Sequence, residues 1–434
     1  MKVLRRKAAL LVLGYALLLV LTMLHFADYR GAKECAQLKY APYPLRYTAE
    51  QPQRGPPPGP RPGVAAAPAP ERAPGRRQHV YVFTTWRSGS SFVGELFNQN
   101  PGVFFLYEPL WHIWQKLYPG DALTLQGAAR DMLAFLYRCD LSIFQLYNGG
   151  NNVTSMGIFG APRNKVVCSY PLCQAYSKQR VGLIDEHVCK SECPPQHLDS
   201  LQAECHKYGT IVIKGVRIFD LNVLAPLMKD PSIDLKVIHL VRDPRAVASS
   251  RIKSRNGLIR ESLQVMRSKD PKGRRLKVYD GFQRSRRDAV DYHALNALEV
   301  ICTSMVRTVQ MAREPPAWLK DNYRVVRYED LVEDPIGCLK DMYHFVNLSV
   351  SEDIERFVLN MTMGSSYSSK KPFSVSSRNA TQAANAWRTQ MTYSQIKQVE
   401  EYCQQAMDWL GYEKVQTPEE VKDFSKSFVT KIRL

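Results

Sequence analysis

The chain has 434 residues, 45% of them hydrophobic, with 59 lysines and arginines against 41 acidic residues and a net charge of +18 at pH 7. Length and apolar content admit one large or two medium domains with a full core. The basic excess calls for an acidic partner, because a positive surface concentrates anions. For a lumenal chain an anionic donor or an acidic glycan fits this charge better than nucleic acid.

Residues 1–7 contain Lys2, Arg5, Arg6 and Lys7, and 8–27 form an apolar run whose clearly polar members are Thr22 and His25. About 20 residues at 1.5 Å each span a hydrocarbon core of roughly 30 Å. Basic residues on the N-terminal side keep the short tail cytoplasmic and send the rest across the membrane, so 8–27 read as a type II signal anchor. A cleaved signal peptide fits less well, because the run is too long and no small-x-small site follows. Residues 28–78, dominated from 41 by proline, glycine and alanine, cannot bury a core and read as a disordered stem. Sequons at Asn152, Asn347, Asn360 and Asn379 suit a glycosylating compartment.

From 79 to 434 the pattern is that of one lumenal α/β domain. Strand candidates are 79–85, 210–217, 235–243 and 323–331, and their nearly continuous β-branched runs predict a mostly parallel sheet buried on both faces. Helical patterns, including 91–101, 127–140 and 291–312, lie between them, so ligands are expected beyond the carboxyl ends of the strands.

The stretch "HVYVFTTWRSGSSF" runs from a strand through a loop of Trp86, Arg87, Ser88, Gly89, Ser90, Ser91 and Phe92 into a helix. Backbone N–H groups and the helix dipole then converge on one point, an anion site. Gly89 permits close approach, and Arg87 supplies a permanent planar charge. The lysine–Ser/Thr pair of a triphosphate loop is absent, so a phosphate-type anion without a required metal is expected. A serine-rich helix cap is the alternative. Glu108 in "FLYEP" follows, in an apolar setting of Phe105, Leu106, Tyr107 and Trp111 that is expected to raise its pKa towards that of a working base. His112 competes for that role, and Trp111, Trp114 and Tyr118 offer faces for a sugar ring or simply pack.

Five of the ten cysteines crowd between Cys168 and Cys205. Their spacings and compartment favour disulfides over zinc, with the pairing open. Lys214 and Arg217 sit where the 210–217 strand should end. In "LKVIHLVRDPRAVASSR", Arg242 closes a strand, Asp243 and Pro244 turn, and Arg245, Ala246, Val247, Ala248, Ser249 and Ser250 enter a helix, a second anion site or an ordinary turn. The basic stretch 251–288 is a binding surface or a solvated loop. Glu329 and Asp330 in "VRYEDL" read as braces for basic loops, and Trp387 and Arg388 in "NAWR" as part of a lid.

"TTWRSGSSF", "LVRDPRAVASSR", "VRYEDL" and "NAWR", in this order, resemble the motifs of sulfotransferases. The wording of "FLYEPLWHIWQKLYPGDAL" and "NATQAANAWRTQ" is similar to that of the Golgi N-acetylglucosamine 6-O-sulfotransferases. The resemblance implies a P-loop-like sulfotransferase fold and transfer of a sulfuryl group from 3′-phosphoadenylyl sulfate (PAPS), without a metal, to the 6-hydroxyl of N-acetylglucosamine in glycans. Galactose and N-acetylgalactosamine 6-O-transfer are the near alternatives. It places the 5′-phosphosulfate on Trp86–Phe92 and the 3′-phosphate on Arg242 and Ser250, with the rest of 242–250 shaping the nucleotide pocket. It implies Arg87 as charge stabiliser, where cytosolic relatives carry lysine, and Glu108 as general base. It further implies a Golgi membrane location and leaves a homo-oligomer open. A nucleotide-sugar glycosyltransferase or a glycan-binding membrane protein shares the layout, but the former commonly needs a DxD-type metal site that the chain lacks.

Overall fold

Five strands pair side by side, all parallel, in the order β2-β3-β1-β4-β5 in the computed structural model. They are β1 (Gln78–Phe83), β2 (Val103–Tyr107), β3 (Thr210–Gly215), β4 (Asp234–Val241) and β5 (Tyr323–Arg327). The structure describes residues 77–149, 153–159, 163–268, 286–366 and 375–433, with side chains from 293 in the helix that begins at 286. All lie in the unit Glu71–Leu434. The anchor 8–27, stem residues 28–76 and Asn152 lie outside the described residues, and the stem expected to reach 78 stops short of it, because Gln78 is already the buried first residue of β1. Among the described residues no helix is long and apolar enough to cross a membrane.

The strand period of two sorts the core. Tyr81 and Phe83 of β1 enter one apolar cluster, and Val80 and Val82 enter the other. On the first face lie helices α3 (Gln126–Tyr137), through Met132, Leu133 and Leu136, and α6 (Arg286–Arg313), through Leu298, Ile301 and Met305. On the second lies α1 (Ser90–Asn98), whose Val93, Leu96 and Phe97 pack with Tyr343. Helices α2 (Trp111–Lys116), α4 (Pro244–Lys253) and α5 (Ile259–Arg267) follow strands β2 and β4, and α7 (Tyr328–Glu333) follows β5. The chain leaves β1 towards β2 on one side and leaves β4 towards β5 on the other. This reversal between neighbouring strands opens a crevice beyond their carboxyl ends.

Two strand expectations need correction. Val103–Tyr107 is a strand that pattern reading passed over, an edge strand of only five residues whose buried aromatics do not alternate with polar residues. The 323–331 strand ends at Arg327, because Tyr328 begins a helix that presents Glu329 and Asp330 in its first turn. Among the described residues four disulfides form: Cys139–Cys205, Cys168–Cys189, Cys173–Cys193 and Cys302–Cys403. Among the described residues Cys338 is the free thiol.

Candidate active site

The loop after β1 is shaped by two left-handed residues, Arg87 (φ 72°) and Gly89 (φ 92°). Gly89 has a second reason to be glycine, since a Cβ there would run into the Tyr328 ring. Thr84 Oγ1 lies 2.6 Å from Ser88 Oγ and donates to the Leu240 carbonyl at 2.7 Å, which ties the loop to β4. Helix α1 starts at Gly89 with no side-chain cap and no acidic residue in its first turn. Its leading amides therefore face the crevice with their positive dipole end uncompensated by a local side chain. Ser91 Oγ meets Tyr107 Oη at 2.8 Å, joining the start of the helix to the end of β2.

The two predicted anion motifs converge. Arg87 Nε donates to Ser250 Oγ at 2.9 Å across 163 positions of sequence. Arg242 donates to the Arg87 carbonyl at 3.2 Å and to the Ala383 carbonyl at 2.7 Å, and its guanidinium lies 4.4 Å over the Tyr328 ring. Arg242 Nε is buried without a hydrogen-bond partner. Arg87, Gly89, Ser90, Ser91, Phe92, Arg242 and Ser250 line the crevice together with Tyr328 and Arg378. A cavity of about 410 Å³ adjoins it, bounded by Ala246, Ser249, Asn379, Gln382 and Trp387. Tyr328, Arg378 and Ala383 were not singled out from sequence. Only the position of Arg378 beside "NATQAANAWR" hinted at a role.

The other predicted loop residues stand behind this surface. Trp86 is buried against Trp114 and Phe219, and Ser88 donates to the Thr85 carbonyl at 2.8 Å. Asp243 caps α4 through its bond to Arg245 N, with Pro244 in the first turn and Val247 and Ala248 in the core. Arg245 is fully buried and paired with Asp243 (2.8 Å) and Glu400 (3.0 Å), 4.3 Å over Trp387. Its guanidinium turns into the protein, so it supports the crevice floor through α4 instead of shaping the pocket itself. Those two carboxylates outweigh burial and raise its pKa.

Glu108 lies between two cations at the carboxyl end of β3. It ion-pairs with Lys214 Nζ and, at 2.6 Å, with Arg217 Nη1, both buried. This corrects the electrostatic expectation. Burial pushes the carboxyl up, but the charges and hydrogen bonds of Lys214 and Arg217 overcome it and hold the pKa at about 2. The apolar neighbours counted from sequence do not set this environment, because Phe105 and Leu106 turn into opposite cores. Glu108 also sits at φ 47°, accepts Trp111 N through its carbonyl, and donates its own N–H to the Lys214 carbonyl.

His112 is buried, with Nδ1 2.9 Å from Asn148 Oδ1 and Nε2 3.0 Å from the Ile158 carbonyl. Both ring nitrogens are occupied and burial lowers its pKa, so it packs α2 onto its neighbours. Glu329 accepts Asp243 N at 3.1 Å and the Tyr412 hydroxyl at 2.9 Å, while Asp330 pairs with Arg327 at 2.5 Å. Both are braces, acting from the first turn of α7 and not from a strand end. Trp387 contributes to the cavity wall, but Arg388 points away and donates to carbonyls of Glu420, Val421 and Lys426. Trp114 is buried and Trp111 is 43% exposed. The sulfurs of Cys168, Cys189 and Cys193 lie within 4.8 Å of one another, yet each is in a disulfide and offers no thiolate to a metal.

A family model described as a sulfotransferase domain matches residues 77–411. Carbohydrate sulfotransferase 2 of Homo sapiens is 58% identical, covering 100% of this chain and 91% of that protein. Carbohydrate sulfotransferase 7 of Mus musculus is 46% identical over 79% of this chain and 78% of that protein. Carbohydrate sulfotransferase 6 of Homo sapiens is 36% identical over 84% and 89%. Among solved structures, the sulfotransferase domain from the curacin biosynthetic pathway aligns with 78% of this chain and 99% of that chain, at 13% identity and TM-score 0.41. With its loop arginine and its strand-end arginine meeting on one crevice, the chain belongs to the sulfotransferase domain family.

Proposed function

We propose that the protein transfers a sulfuryl group from PAPS to the 6-hydroxyl of N-acetylglucosamine residues in glycans. The observation that carries this reading is the joining of two anion-binding elements, Arg87 through Ser250 and Arg242, across one crevice. A donor phosphorylated at both ends needs two such elements facing one crevice. The residues fit it: Arg242 Nε is buried and unpartnered, and the capless start of α1 offers its amides. When bound, the donor supplies the sulfuryl group and carries away the negative charge of the leaving nucleotide.

The chain's own residues divide the work. Arg87 and the α1 amides balance charge at the 5′ end, and Arg242 with Ser250 holds the 3′-phosphate. Arginine does not deprotonate, so Arg87 acts through charge alone. Glu108 takes the proton of the acceptor hydroxyl as its oxygen bonds to sulfur. In the free protein its low pKa makes it a poor base. An anion brought near Lys214 and Arg217 shares their charge and lifts the carboxyl towards the range where it accepts a proton. The acceptor sugar rests on the 58% identity to carbohydrate sulfotransferase 2.

Residues 8–27 are proposed to anchor the protein in the Golgi membrane with 79–434 in the lumen. Four disulfides support an oxidising compartment, and Asn347, Asn360 and Asn379 are exposed. Protease protection of sealed microsomes, with a glycosidase-sensitive mass, is the expected result for this topology; cleavage without detergent refutes it.

The activity is tested with labelled PAPS and acceptors ending in N-acetylglucosamine, galactose or N-acetylgalactosamine. Label is expected on N-acetylglucosamine, and Arg242→Gln is expected to weaken donor binding about 10- to 100-fold, a charge-assisted bond of roughly 1.5–3 kcal/mol. Transfer to no acceptor overturns the reading, and transfer to galactose alone overturns its substrate branch.

A further inference from the structure

Tyr118, just beyond α2, is flanked by two guanidinium groups. Arg260 lies 4.4 Å and Arg267 5.5 Å from its ring centroid. The two arginines are seven positions apart on α5, two turns along one face. Helix α5 is fastened to this segment by Gln264, whose amide donates to the carbonyls of Trp114 (3.3 Å) and Gly120 (3.1 Å). Arg267 also donates to the Pro119 carbonyl at 2.8 Å. Among the described residues no carboxylate pairs with either arginine, and Arg260 is exposed.

Between them in sequence, Glu261 turns the other way. It lies 3.9 Å from Arg217, which in turn holds Glu108 at 2.6 Å. One side of α5 thus touches the charge network of the reaction centre, while another presents two uncompensated cations over an aromatic ring. Two like charges on one ring repel each other, and an anion placed beside both relieves that repulsion and gains forked hydrogen bonds. Trp111 is exposed at the start of α2, three residues after Glu108 in the chain.

Resting on the transfer reading above, we propose that Arg260, Arg267 and Tyr118 form an acceptor subsite for an anionic group, a sulfate ester or a carboxylate, on a sugar neighbouring the one that receives the sulfuryl group. The protein then favours glycans that are already charged.

The test uses the full chain and three matched oligosaccharides ending in N-acetylglucosamine: neutral, sulfated on the neighbouring sugar, and carrying a sialic acid. The wild type is expected to use at least one charged acceptor with a KM about tenfold below that of the neutral one. R260Q and R267Q should each raise that KM several-fold, and the double variant should abolish the preference. In all of them kcat, the KM for PAPS and the KM for the neutral acceptor should stay within twofold. R260K, which keeps the charge, should retain most of the preference, and added salt should erode it. A preference for only one charged acceptor supports the subsite and identifies its ligand. Equal use of all three by the wild type overturns the proposal, as does a loss in R260Q that falls equally on the neutral acceptor. Failure to label any acceptor instead overturns the transfer reading, so the two failures are distinct.

Discussion

Replacing Glu108 with glutamine keeps the shape of the side chain and removes its charge, leaving Lys214 and Arg217 buried without a counter-ion. The carboxyl is held at about 2 in the fold against an ordinary value of 4.5. That difference is worth about 3 kcal/mol of stability in the charged state. Because the folded pKa is depressed, the contribution is complete above pH 4.5 and is lost as pH falls through 2. At pH 3 about 1.5 kcal/mol of it should remain. Denaturant unfolding of wild type and Glu108→Gln, followed by tryptophan fluorescence, should show the variant less stable by about 3 kcal/mol at pH 7 and by about half that at pH 3. A gap that is absent, or equal at both pH values, refutes the assignment of Glu108 to this ion pair. The same geometry predicts that kcat/KM, which reports the free protein, shows no acid limb from Glu108 between pH 5 and 8. A carboxyl raised by an apolar pocket would give one near pH 6.

Gly89→Ala forces a side chain into left-handed backbone and onto the Tyr328 ring. It should cost about 1–3 kcal/mol and weaken nucleotide binding at least tenfold, measured by calorimetry with 3′,5′-adenosine bisphosphate; unchanged affinity would mean that the loop does not hold the donor. The Cys302–Cys403 bridge joins α6 to the end of α8 (Tyr393–Tyr402) across 101 positions. Replacing both cysteines with serine should lower stability by about 4–5 kcal/mol and depress the Tm, and an unchanged Tm would argue against the bridge.

Much of the site was legible before the fold. A strand, a glycine-bearing loop and a helix with no acidic first turn mark one lining segment of the crevice, and "LVRDPRAVASSR" marks a second. Pattern reading succeeds there because strand period, loop chemistry and helix start are local properties. It reached less far at β2, where four buried residues and a half-buried Tyr107 on an edge carry no period of two. It also overread Arg245, whose neighbours in sequence resemble a pocket but whose partner Glu400 lies on α8.

Composition, motif order and local backbone preference thus determined on their own the parallel α/β sheet and the two arginine-bearing segments at its strand ends. Tertiary structure alone decided the electrostatics between them. Glu108 meets Lys214 and Arg217 from 106 and 109 positions away. A carboxylate's pKa depends on burial and on charges within a few ångströms, and no local pattern records which distant strand end will supply them.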